Sequence, residues 1–235
     1  MSAEDLVPGA YELDVVAPPL SGVTVTVRAA LAPWAIGAAA PGIEASTTGP
    51  ETAVGHATTT LIGAERSVAV TGRGAAAESV TVRVPDWAGQ ATVDVEMARE
   101  QWDDFTDFGV TDFDSSGQQV GQGALNYAFG RHAVDTRALA ALKGHPLTVE
   151  LFPAFARYNG AHPWHATVRV RFLLALPRSP GGGTDVRVVP GGRAVLPLAR
   201  PPELTLPDGF APLIEVRIHA SDGIGVDAVR RLPPP

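Results

Sequence analysis

Val80-Thr81-Val82-Arg83-Val84 and Thr92-Val93-Asp94-Val95-Glu96-Met97 alternate apolar and polar residues one by one. Thr167-Val168-Arg169-Val170-Arg171-Phe172 repeats the alternation, as does Leu147-Thr148-Val149-Glu150-Leu151. Successive side chains of a strand point to opposite faces, so period two marks strands with one dry face and one wet face. Four such runs spread over one chain predict an all-β protein, an antiparallel β-sandwich of jelly-roll-like form with flanking immunoglobulin-like strands. The chain has 235 residues with 45% hydrophobic content, enough for a substantial core, and its 25 glycines and 21 prolines supply the turns that many short strands need.

Working outward, strands are expected at Val68–Val70, 79–84, 91–97, Phe105–Phe113, Tyr127–Phe129, 147–152 and 166–175. A short helix is expected at Asp135–Leu142, capped by Asp135 and ended by Gly144. These elements set a central sandwich at 64–177. Residues 1–63 and 178–235 hold flanking strands (Tyr11–Val16, Val23–Val27, Val186–Val189, Ala194–Leu198, Leu213–His219) that pair into a second, immunoglobulin-like sandwich or belong to separate neighbours. Residues 32–60, rich in Ala, Gly, Pro and Thr, read as loop with one or two weak strands.

The formal net charge of -7 excludes nucleic acid as a partner, because phosphate binding needs a basic face. No segment has the length of a transmembrane helix, so no membrane partner is expected. With no cysteine there is neither a disulfide framework nor thiol chemistry. The acidic start Met1-Ser2-Ala3-Glu4-Asp5 lacks the apolar core of a secretory leader. The chain is therefore expected to be a piece of a longer secreted protein, located outside the cell, or cytoplasmic if free-standing.

Trp102 to Gly117 carries five aspartates: Asp103, Asp104, Asp107, Asp112 and Asp114. Asp112, Asp114, Ser116 and Gly117 match the first half of a calcium loop, which gathers carboxylate and carbonyl oxygens around a hard cation. Gly123 stands at the twelfth position, where that loop needs a bidentate Glu. Calcium held by Asp112, Asp114 and Ser116 is one expectation, and it is the one cofactor considered. The other is a strand ending in an Asx-type turn with its aspartates solvated. A glycosidase pair among these carboxylates would need a cleft, to which nothing in the cluster points.

His162 and His165, with His132 or His145, could supply zinc ligands, but Pro163 breaks helical spacing and surface histidines are the simpler reading. Trp87, Trp102, Tyr127, Tyr158 and Trp164 form either a sugar-stacking platform or core packing. The nucleophile elbow G-x-S-x-G, the S-x-x-K motif and H-E-x-x-H are all missing, so no enzyme is expected.

Asp107-Phe108-Gly109-Val110-Thr111-Asp112-Phe113-Asp114-Ser115-Ser116-Gly117 resembles the D-L-D-L-Y-L-Y-D-x-x-G strand and turn of bacterial pre-peptidase C-terminal domains. Val82 to Gly89 with the strand at 91–97 is similar to that family's opening, and Leu147-Thr148-Val149-Glu150-Leu151 to its closing strand. Pro8-Gly9-Ala10-Tyr11-Glu12-Leu13 is similar to the start of sandwich repeats in large subtilases. Asp112 stands where the pattern has an apolar residue, and Gly109 where it has its second Asp. The resemblance implies a non-catalytic accessory region of a secreted subtilisin-like serine protease, acting in folding or in contact with substrate or protein. The partner would be the parent protease domain or a second copy. The alternatives are a carbohydrate-binding module with a glycan partner, or a self-associating surface or filament subunit.

Overall fold

The computed structural model describes residues 34–39, 42–47, 52–156, 163–178, 183–196, 204–220 and 228–232. The strands expected at Tyr11–Val16 and Val23–Val27, together with Tyr158 and His162, lie outside the described residues. The chain divides into two units. The central one comprises Leu61–Ser179 and Pro201–Ile214; the other comprises Met1–Thr60, Pro180–Arg200 and Glu215–Pro235.

Eight strands build the central unit: β3 (Ala53–Arg73, from Leu61 onward), β4 (Glu78–Arg83), β5 (Ala88–Met97), β6 (Phe105–Phe113), β7 (Gln119–Ala124), β8 (Phe129–Ala133), β9 (Pro146–Ala156) and β10 (Pro163–Arg178). They form two antiparallel sheets, ordered β3-β10-β5-β8 and β4-β9-β6-β7. The chain crosses between the sheets at nearly every step, the winding of a jelly roll. All-β architecture with antiparallel sheets packed face to face is thus what the alternating runs produce.

The inner faces hold the residues of the alternating pattern. Val93, Val95, Val168, Val170 and Phe172 come from one sheet, and Val80, Val82, Leu147, Val149, Leu151, Phe108 and Val110 from the other; all join one core. Fully burying one such side chain stabilises by about 1.5–3 kcal/mol. Trp164 lies at the centre with 0% exposure. Its ring meets Phe108 edge-on at 5.1 Å, and its Nε1–H donates to the Gly74 carbonyl at 3.2 Å. Gly72 makes room for it, since a Cβ there would come within 2.0 Å of the indole. The stretch 204–214 returns to this unit by stacking Phe210 on Phe172, at 5.2 Å between ring centres. Its Thr205 carbonyl accepts from Trp87 Nε1 at 2.9 Å.

Two short helices complete the unit: α1 (Arg99–Trp102) and α2 (Thr136–Leu142). The Asp135 side chain caps α2 by accepting from the Arg137 and Ala138 N–H groups. Gly144, at φ 75°, follows it, so both end signals of the expected helix are present.

Two sequence expectations need correction. Tyr127–Phe129 is not a strand of its own: only Phe129 is extended, as the first residue of β8. Asn126 and Phe129 exchange backbone hydrogen bonds of 2.7 and 3.2 Å, and Tyr127 and Ala128 form the two-residue tip between β7 and β8 at φ 50° and 69°. Nor is 32–60 mainly loop. β1 (Trp34–Ala39) and β2 (Gly42–Thr47) pair with each other, and β3 begins at Ala53. Ala53, Gly55 and Ala57 alternate inward there, but residues this small carry the period without the hydrophobic signal.

The second unit is described by its own strands. β1, β2 and β12 (Arg193–Leu196) form a three-stranded antiparallel sheet. β11 (Thr184–Val188) pairs with the first five residues of β3. The described strands β13 (Ala211–Ala220, in this unit from Glu215 onward) and β14 (Ala228–Leu232) are neighbours in a sheet.

Candidate functional site

Among the described residues of the central unit, three places hold ionisable side chains in defined polar contacts, two set by strand register and one by a turn. The first is between the sheets. On β6, Phe108, Val110 and Asp112 share the inward parity, so Asp112 points into the sandwich; its exposure is 0%. On β8, Gly130 and His132 sit opposite Val95 and Val93 of β5 and share their inward parity. His132 Nε2 donates to Asp112 Oδ2 at 2.7 Å, with the two side chains 8% and 0% exposed. β7 makes the space for this pair. A Cβ on Gly121 would lie 2.4 Å from Asp112 Oδ2, and one on Gly123 would lie 2.6 Å from His132 Nδ1. Asp112 Oδ1 is buried with no hydrogen-bond partner. The pair has the composition of a general base with its orienting carboxylate. Its second ring nitrogen, however, packs against β7 instead of opening to a cleft.

The second place is the outer face of the β3-β10-β5-β8 sheet. Asp94, 1% exposed, receives a two-pronged grip from Arg131: Nε to Oδ1 at 2.8 Å and Nη2 to Oδ2 at 2.9 Å. Arg171 Nη1 adds a third donor at 2.7 Å, while its Nε donates to Glu65 at 2.5 Å. Arg169 stands 3.7 Å from Glu65 and 3.9 Å from both Asp94 and Glu96. Three guanidinium groups therefore face three carboxylates across four strands. Paired charge-assisted bonds of this kind are the strong ones, and their two-pronged geometry also fixes strand register.

The third place is the turn after β6. Asp114 Oδ1 accepts from Ser116 N at 2.8 Å, Ser116 Oγ at 2.7 Å and Gln118 N at 2.9 Å. These bonds, led by the Ser116 hydroxyl, hold the Asp114 carboxyl below the usual carboxylate range. An open groove of about 340 Å³ runs from this turn to α2, bordered by Asp114, Gln118, Val120, Ala138, Leu142 and His145.

The residues singled out for calcium are thus distributed. Asp114 and Ser116 bond each other in an exposed Asx-type turn, while Asp112 turns between the sheets to His132. The expectation that the aspartates are solvated holds for the turn and fails for Asp112, whose parity with Phe108 and Val110 carries it inward. Among the described residues no group of three or more His, Asp or Glu side chains is placed to hold a metal ion. His165 is exposed and bonds the Thr71 hydroxyl at 3.1 Å; His145 borders the groove. Of the five named aromatics, Trp164 is core, Trp87 and Trp102 pack partly buried against it, and Tyr127 is 77% exposed. Among the described residues no helix is long and apolar enough to cross a membrane.

The Asp94 lattice and the Asp112–His132 pairing escaped the sequence reading. Alternation flagged Asp94, Arg169 and Arg171 as outward residues, but only the strand order β3-β10-β5-β8 brings them together. No family model matches the chain, and neither a curated protein nor a solved structure matches it.

Proposed function

We propose that this chain is a non-catalytic β-sandwich module that works by surface contact with protein. In the form the resemblance implies, it sits beside the protease domain of a secreted bacterial subtilisin-like enzyme. One observation carries the reading. The His132–Asp112 pair, with the make-up of catalytic machinery, is enclosed between the sheets at 8% and 0% side-chain exposure. A pair so placed serves cohesion between layers, and the Asp94 lattice serves register within one. The test is to assay the purified chain against peptide, ester and glycoside substrates, and to measure its binding to a subtilisin-like protease domain encoded in the same reading frame. Binding without turnover is expected. Turnover that is lost in His132→Gln would overturn the reading.

A second reading, glycan binding, is favoured by the β7–β8 tip. Tyr127 stands 77% exposed there, with Phe129 at 39% beside it, on a turn whose two central residues both hold left-handed backbone angles. Side chains other than glycine are strained in that region, and strain of this kind collects at recognition sites. Glycan-array binding abolished by Tyr127→Ala would establish this reading; an array silent for the intact chain removes it.

A further inference from the structure

We propose that β4 is a homodimerisation edge. Two copies pair β4 against β4 in antiparallel fashion about a two-fold axis at Thr81, and Arg83 of each copy reaches Glu150 of the other. This inference rests on the contact reading above and names the partner as a second copy of the chain.

Among the described strands, β4 is the outermost of the β4-β9-β6-β7 sheet. Just past its end, Val84 N donates to the His145 carbonyl and the Val84 carbonyl accepts from Gly144 N. Main-chain bonds alternate sides along an antiparallel strand. Val80 and Val82 therefore bond toward β9, and the N–H and C=O groups of Ser79, Thr81 and Arg83 point away from it.

Proteins blunt such edges with proline, lysine or a bulge. β4 has none of these: its sequence is Glu-Ser-Val-Thr-Val-Arg, and its register with β9 runs unbroken from Glu78 to Arg83. The opposite outer strand, β7, is different. Its pairing with β6 shifts register between Asp112 and Phe113, and it carries Gly121 and Gly123. Among the described residues, one edge of this sheet is guarded and the other is open.

The side chains of β4 then select its own copy. With the axis at Thr81, Ser79 of one copy stands opposite Arg83 of the other. Within its own sheet Ser79 stands opposite Glu150. Arg83 and the other copy's Glu150 thus lie on one outer face, two strand spacings or about 10 Å apart between Cα atoms, with only the short Ser79 between them. An arginine and a glutamate together span that gap. Among the described residues, neither Arg83 nor Glu150 has an ion-pair partner within the chain. On the same face Thr81 already meets Thr148 hydroxyl to hydroxyl at 3.1 Å, and the axis sets the two Thr81 side chains beside each other. On the inner face Val80 of each copy stands opposite Val82 of the other.

The experiment is sedimentation equilibrium on the full chain and four variants, each checked for native fold by circular dichroism. The intact chain dimerises. Arg83→Glu and Glu150→Arg each weaken the dimer about tenfold or more, because like charges then face each other at both symmetric positions. The doubly swapped Arg83→Glu/Glu150→Arg chain regains the dimer. Thr81→Pro removes an N–H aimed at the partner without touching the β9 ladder, and it leaves a folded monomer. A chain that stays monomeric at the highest soluble concentration overturns the inference, and so does a dimer indifferent to all four changes. Either result leaves the contact reading intact if the protease domain still binds, whereas catalytic turnover would sink that reading whatever the dimer does.

Discussion

Replacing His132 by alanine probes how the two sheets are joined. Asp112 sits at 0% exposure with Oδ1 already unpartnered, so its pairing rests on the 2.7 Å bond from His132 Nε2 to Oδ2. His132→Ala leaves a buried carboxyl group with neither oxygen bonded. Breaking a buried pair from one side costs about 3–5 kcal/mol, because the remaining charge stays desolvated. A domain's total stability is only about 5–15 kcal/mol, so the variant stands near the limit of folding. With a urea slope of about 2 kcal/mol/M, the unfolding midpoint falls by roughly 1.5–2.5 M. The assay is urea unfolding followed by tryptophan fluorescence, since Trp164 reports on the core directly. Asp112→Leu/His132→Leu removes both partners and, by the same reasoning, costs far less than the single change, about 1 kcal/mol or less. A His132→Ala loss below about 1 kcal/mol would refute the argument, since it falls short of even one lost buried hydrogen bond to a charged group. A double variant no more stable than the single would refute it equally.

Asp94→Ala strips the anion from Arg131 and Arg171 at a site 1% exposed, and is expected to cost about 3 kcal/mol or more by thermal or urea unfolding. Ala128→Gly relaxes the left-handed tip at φ 69° and should raise stability by up to about 1 kcal/mol, read in the same titration. Asp114, whose carboxyl is held low by its turn bonds, contributes order that is fully present at neutral pH and is lost as pH falls through and below the ordinary carboxylate range. Amide exchange at Ser116 and Gln118 should therefore quicken under acid in the intact chain and show no such step in Asp114→Asn.

The parts legible in sequence were those in which local chemistry and tertiary structure agree. Asp135 and Gly144 bracket α2 because a cap acts within one turn of the chain. Val80, Val82, Leu147, Val149, Val168 and Val170 announce their strands because each buries a large side chain every second residue. Ala53, Gly55 and Ala57 keep the same period with side chains too small to register. Tyr127 and Phe129 misled in the other direction: aromatic residues favour strands, and a two-residue tip ordinarily calls for Asn-Gly. Asp112 was drawn into the company of its acidic neighbours, although its parity with Phe108 placed it inward. His132 stands 20 residues away and on the opposite sheet, so its bond to Asp112 follows from the jelly-roll order alone. The same holds for the Asp94 lattice, whose members come from four strands.

Histidine modification with diethylpyrocarbonate, read residue by residue by mass spectrometry, tests the idea that this unit spends its base–carboxylate pair on cohesion. Among the described residues His56, His145, His165 and His219 are exposed, whereas the His132 side chain is 8% exposed. The prediction is that these four exposed histidines react while His132 stays protected until the fold is opened with urea. Labelling of His132 at the pace of His145 in the native chain would mean the pair faces solvent, and the account would be wrong.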